Sequence, residues 1–239
     1  MARPRYPKST GPLPPPLPPL TRTVGQLVAE TLKIYGDHWK VGLLIGLPPA
    51  LLSATVTGFS REETLVIVPF AGAVAATASF VIASAVVSGV SLRGPGTVAA
   101  AIVGALIYLP FPLLTALFIL PGLAWFALIG LAVPAALAEG LGVRDALRRG
   151  IALGRADYVH ALGGLATLVM LVFVTQIAAS LLLQGFADNS ERAAAFLAGL
   201  VLSPVLFFGA ALLYVDQAAR VGTTREERLA ARLAPREPA

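Results

Sequence analysis

Residues 94–138 read GPGTVAAAIVGALIYLPFPLLTALFILPGLAWFALIGLAVPAALA, without one Asp, Glu, Lys or Arg. A helix that crosses a bilayer needs roughly 20 mostly apolar residues. This stretch therefore holds two crossings, with Pro121-Gly122 as the turn between them. Outward from it, further charge-free runs lie between Lys40 and Arg61, and over Thr64–Leu92, Tyr158–Ala187 and Ala193–Val215. Each of these holds one crossing, which brings the expected total to six. The expected spans are 41–59, 65–91, 98–119, 122–138, 158–185 and 194–215.

The character of the runs excludes the alternatives. A helix on the surface of a soluble domain shows a polar stripe at a period of 3.6 residues, whereas Leu200–Val215 is apolar on every side. A membrane β-barrel alternates polar and apolar residues, and no such alternation occurs. Charged residues make up 13% of the 239 and hydrophobic ones 56%, against about 25% charged in soluble domains. The expected fold class is an all-α polytopic membrane protein of about six transmembrane helices, with short amphipathic helices at the cytoplasmic interface. The membrane domain is expected at 23–220, between a Pro-rich tail at 1–22 and a charged tail at 221–239.

Lys and Arg concentrate in the cytoplasmic connections of membrane proteins. One side here would carry Arg3, Arg5, Lys8, Arg22, Lys33 and Lys40, then Arg93, then Arg144, Arg148, Arg149 and Arg155, then Arg220, Arg225, Arg228, Arg232 and Arg236. The other side would carry Arg61 and Arg192, each beside acids: Glu62 and Glu63, Asp188 and Glu191. Both termini are thus expected in the cytoplasm of a cell-membrane protein. The Ala, Gly, Leu, Pro and Arg bias suggests a bacterial source.

The start of the chain is basic, but no apolar stretch follows, so a signal peptide is not expected. Instead comes Pro12-Leu-Pro-Pro-Pro-Leu-Pro-Pro19, a polyproline II tract. It reads as a flexible tail or as a ligand for a proline-recognition domain. The chain has no cysteine, which excludes disulfides, thiol catalysis and Cys-based metal sites.

Two helices are expected outside the spans. Over Val24–His38, Thr23 and Gln26 form a capping box, and Val24, Leu27, Val28, Thr31, Ile34 and Tyr35 share one face. Over Val143–Ala156, Val143, Ala146, Leu147, Ile151 and Gly154 share a face. Arg144, Arg148 and Arg155 form a stripe centred about 100° round the helix from that face. Both helices would lie flat at the interface. They align without gaps, Val24 on Val143 through Trp39 on Tyr158. A third, poorer copy near Thr97-Val98 suggests three helix-plus-hairpin units.

Three stretches carry a family resemblance: VGQLVAETLKIYGDHW from Val24, VPAALAEGLGVRDALRRGIALGR from Val133, and ALLYVD from Ala211. Together they resemble the six-helix membrane domain attached to some glycerophosphodiester phosphodiesterases, which also occurs as stand-alone bacterial membrane proteins. The likeness covers about residues 23–220. Gly150 stands where that family has Ser after the paired arginines, and 98–109 lacks the usual polar residues. The phosphodiesterase itself is a barrel of about 250 residues, and Asp216 stands 23 residues from the end. The resemblance therefore implies a membrane module without that chemistry.

Few residues are candidates for chemistry. Glu139 is the sole carboxylate between Glu63 and Asp145. It reads as an interfacial charge, as a coupling-ion site, or as a buried partner of Arg148 or Arg149. With Arg144 and Arg155 these residues make a candidate surface for anionic lipid headgroups or an acidic partner. His38 and His160 read as interface histidines beside Trp39 and Tyr158, because two histidines without a third ligand make no metal site. Prolines 48, 49, 69, 110, 112, 134 and 204 mark kinks of structural helices or broken helices around a transported substrate. Small residues at Gly42/Gly46 and Gly150/Gly154 allow close helix approach. No catalytic residue, cofactor, metal site or nucleic-acid partner is expected. The composite expectation is a non-enzymatic scaffold, accessory or lipid-interacting module; the alternative is a transporter or channel for a small or lipidic substrate.

Overall fold

The computed structural model describes residues 18–56, 59–183 and 190–222, with Glu227 and Leu233 as isolated positions. The described chain is helical throughout, with no strand. Most of the proline-rich tract and the charged C-terminal tail lie outside the described residues, so neither tail reading is addressed by the structure.

Among the described residues, six segments are long and apolar enough to cross a membrane. The first is α2 (Trp39–Val56) and the second lies within α3 (Arg61–Ser88). The third, Gly96–Thr115, is α4 (Gly96–Tyr108) continued by α5 (Phe111–Leu117). The fourth, Ile119–Glu139, is α6 (Ile119–Ile129) continued by α7 (Ala132–Glu139). The last two lie within α9 (Tyr158–Leu183) and α10 (Ser190–Arg220). Two shorter helices, α1 (Val24–Asp37) and α8 (Val143–Ala156), precede α2 and α9.

The turn of the middle hairpin falls at Phe118, which is extended (φ −155°, ψ 152°), not at Pro121-Gly122. Pro121 is instead the third residue of α6. The first N–H groups of a helix have no acceptor within it, so proline costs little there and does not by itself mark a turn. Pro112 and Pro134 likewise fall in the first turns of α5 and α7. The prolines inside helices are Pro48, Pro49, Pro69 and Pro204.

Helix starts follow local chemistry. The Thr23–Gln26 capping box is formed: the Thr23 side chain accepts from the Gln26 N–H, and the Gln26 side chain accepts from Thr23 N at 2.8 Å. A second box, Ser60 with Glu63, starts α3. Gly140, in the left-handed region (φ 65°), ends α7 and lets the chain turn into α8.

The core is aromatic at its centre. The Phe80 ring meets those of Tyr108, Phe126 and Phe207, with centroids 5.4–6.4 Å apart. Such pairs add about 0.5–1.5 kcal/mol each beyond their burial. One buried hydroxyl bonds across helices, Ser79 Oγ donating to Ile45 O at 2.6 Å, whereas those of Thr77 and Ser84 have no hydrogen-bond partner among the described residues. Without water to compete, a donor left without a partner inside the protein carries a cost.

Helices α1 and α8 rest on the bundle itself. Leu27 and Thr31 of α1 are fully buried against α9 and α10. α8 packs on α4, α6 and α7 through Ala146, Gly150, Leu153 and Gly154. That buried face is rotated from the expected one, away from Val143, Leu147 and Ile151, which are half-buried. Glycines set the rotation. A Cβ at Gly150 would fall 2.6 Å from Ala132 Cβ, and one at Gly154 2.7 Å from Ala127 O. Residues that contribute least apolar surface thus allow the closest approach.

The two copies α1–α2 and α8–α9 share their geometry. Each is a 14-residue helix, a single non-helical residue (His38 or Asp157), and an aromatic residue opening the long helix. The middle hairpin has no such preceding helix; α4 starts at Gly96 directly after the turn.

Candidate functional site

Charge gathers at the end of the bundle where α7 and α10 finish and α1 and α8 lie. Two carboxylates organise it, and this is here termed the basic end.

The first is Glu139, the last residue of α7. Arg149 Nε donates to Glu139 Oε1 at 2.9 Å and to Oε2 at 3.1 Å. Tyr214 of α10 donates its hydroxyl to Oε1 at 3.0 Å. The Gly140 turn reverses the chain so that α8 runs back past the end of α7 and presents Arg149. Of the two arginines named as partners, Arg149 makes the pair. The side chains of Arg149 and Glu139 are 31% and 30% exposed, so water and salt reach both.

Arg144, Arg148 and Arg155 are exposed. At 100° per residue they fall on one side of α8, opposite Ala146, Gly150 and Leu153. The expected stripe beside the buried face is corrected to a row pointing away from the bundle. The structure does not bring these three together with Glu139; Arg149 alone turns toward it.

The second carboxylate, Asp216 on α10, is fully buried. Arg22, held in front of α1 by the short 3-10 turn Pro19–Thr21, donates from Nη1 to Asp216 Oδ1. Asp216 Oδ2 lies 3.6 Å from His160 Nε2 and 3.9 Å from Arg220 Nη1. Arg220 Nη2 donates to the Arg22 carbonyl at 2.9 Å, and Arg220 Nε is 3.8 Å from Asp157 Oδ2. Gln217 closes the set. Its amide nitrogen donates to Asp157 O at 3.0 Å, and its amide oxygen accepts from Asp157 N at 3.1 Å. Asp157 is the single residue between α8 and α9, so this network ties the chain before α1, the α8–α9 junction and the end of α10 together.

His160 is buried in the bundle, 7% exposed, and faces a carboxylate, whereas His38 is exposed. The buried set escaped the sequence reading because its members are far apart in the chain. Arg22 and Arg220 each passed as a topological charge. The available signal was Asp216 four residues before Arg220, a spacing that puts both on one helix face.

Two arginines and two aspartates thus meet at this junction, Asp216 and Arg220 fully buried and Asp157 partly open to solvent. Buried charges persist when paired in this way. Among the described residues, no group of three or more His, Asp or Glu is placed to hold a metal ion. Comparison with protein families, with curated proteins and with solved structures finds no match.

Proposed function

We propose that this chain is a non-enzymatic membrane module that docks anionic lipid headgroups along α8, with the basic end facing the cytoplasm. The observation that carries the reading is the row Arg144, Arg148 and Arg155, exposed on one side of a helix whose other side is locked to the bundle. Each basic side chain near an anionic leaflet contributes about 1 kcal/mol, attenuated by salt. Arg149 is committed to Glu139 and supports the helix rather than the ligand. The resemblance to the membrane domain of glycerophosphodiester phosphodiesterases accords with a membrane module, and the proposal extends to a shared ancestry with it.

Replacing Arg144, Arg148 and Arg155 together with Gln tests the reading, because the remaining Lys and Arg preserve insertion. Affinity for phosphatidylglycerol-rich nanodiscs should fall by at least tenfold and lose its salt dependence. Unchanged affinity in a correctly inserted triple variant reduces the row to a topological role. Retention of an acidic protein in place of lipid would reassign the surface. Purified protein should not hydrolyse glycerophosphodiesters with any divalent metal, and metal-dependent turnover would overturn the non-enzymatic part.

A further inference from the structure

A half-open pocket of about 280 Å³ lies between α3, α4, α5, α6, α9 and α10. Its walls include Tyr108, Phe111, Phe126, Leu165, Phe207 and Ala210. Apart from the Tyr108 phenol, every side chain that lines it is apolar. A polar solute would lose its hydration here and gain nothing in return. Water would find too few partners, and apolar cavities of this kind stay dry and accept apolar guests.

Depth identifies the guest. Leu165 stands seven residues beyond Tyr158, Tyr108 twelve beyond Gly96 and Phe207 thirteen before Arg220. At 1.5 Å per residue these walls lie about 10–20 Å from the basic end, within a hydrocarbon layer of about 30 Å. The apolar molecules abundant at that depth are lipid chains.

Access follows from α9. Its buried stripe, His160, Ala161, Gly164, Leu165 and Leu168, stops at the level of the cavity. From 169 to 179 no residue of α9 is buried, and Met170, Phe173, Val174 and Ile177 stand exposed. Beyond Leu168 only Val169 and Val172 still pack against the core, Val169 as part of the cavity wall, so α9 covers the cavity thinly on this side. Small residues keep the space open: Gly72 on α3 and Ala210 on α10 face it where larger side chains would fill it.

We propose that this cavity binds one acyl chain of a bilayer phospholipid, inserted from the α9 side, with the headgroup left at the membrane surface. The proposal goes beyond headgroup docking and is independent of it, since the cavity reads the chain and not the charge.

The test uses the full chain in nanodiscs of zwitterionic phosphatidylcholine, doped with phosphatidylcholine that carries a diazirine in mid-chain. Photolysis and peptide mapping should place adducts on the segments of Phe126, Leu165 and Phe207. Gly72→Leu and Ala210→Leu should each reduce these adducts at least tenfold and leave adducts at exposed Val74 and Met170 unchanged. A Cβ at Gly72 meets its nearest neighbour, Leu52 Cδ2, at 3.5 Å, so that variant has room to fold. Adducts that merely follow lipid exposure, or that persist on the cavity segments in both variants, overturn the proposal. Native mass spectrometry of the Arg144, Arg148 and Arg155 triple variant gives a second reading: one phospholipid retained per chain supports it, and none retained overturns it. The Arg144, Arg148 and Arg155 triple variant should label the cavity normally, so failure of headgroup docking and failure of acyl binding are separable.

Discussion

Asp216, in the last turn or so of α10, and Glu139, the last residue of α7, lie at the same end of the bundle, and each is paired with an arginine that belongs to the chain leading into or along a short packed helix. Arg22 precedes α1 and Arg149 lies within α8. Tyr214 links them physically, since it donates to Glu139 two residues before Asp216. The surroundings differ. Asp216 has no exposure, whereas Glu139 keeps nearly a third of its side chain in contact with solvent. Chemically similar pairs thus sit in media of different polarity, and the same loss of charge has different consequences in each.

The largest expected effect is at Asp216. Asp216→Asn leaves Arg22 and Arg220 facing one another in a buried site with a negative charge removed. Breaking a buried pair from one side costs about 3–5 kcal/mol. Denaturant titration in mixed micelles should register that loss, while Glu139→Gln should cost under about 1 kcal/mol. Equal losses would break the comparison and show that burial is not what separates the sites.

Arg22→Gln should fall between. Asp216 then keeps His160 and Arg220 nearby but loses its hydrogen-bonded partner, and hydrogen bonds to charged groups contribute about 1.5–3 kcal/mol. The variant should also loosen the chain before α1, which loses its side-chain tether to Asp216 and keeps the Arg220 bond to the backbone carbonyl of residue 22. Protease nicking near Pro18–Thr23 at unchanged global stability would locate the effect in that local release. No increase in nicking would place the anchor elsewhere.

The contrast also explains what the sequence could and could not disclose. The six crossings follow from charge-free runs alone, because a bilayer admits little else at that length. The helices α1 and α8 follow from a capping box and helical spacing, and both appear at the expected residues. Glu139 stands out because it interrupts a long uncharged run, and its partner is ten residues away across one tight turn. Asp216 has no such neighbour: Arg22 is 194 residues distant, and its charge has a sufficient explanation in topology. Packing faces were missed for a different reason. Gly150 and Gly154 carry no hydrophobic signal, yet backbone proximity at Ala132 and Ala127 is what fixes the rotation of α8. Long-range pairing and steric allowance leave no periodic trace; hydrophobicity and turn chemistry do.

The smallest expected effect sharpens the comparison most. In a double-mutant cycle, Glu139→Gln and Arg149→Gln should show a coupling of about 0.2–1 kcal/mol, the range for pairs open to solvent. A single Arg149 Nε–H is shared between the two carboxylate oxygens, and the Tyr214 hydroxyl donates to one of them. Water still competes for both charges, and ordering two long side chains opposes the gain. The coupling should shrink as salt rises from about 0.05 to 1 M, where the Debye length falls to about 3 Å. The Arg22–Asp216 coupling should hold over the same range, because mobile ions do not enter a site without solvent contact. Two couplings with the same salt dependence would mean that solvent reaches Asp216 after all, through opening of the chain before α1. A salt-sensitive Glu139 pair beside a salt-insensitive Asp216 pair would assign the first to holding α8 against α7 and the second to clamping the bundle shut.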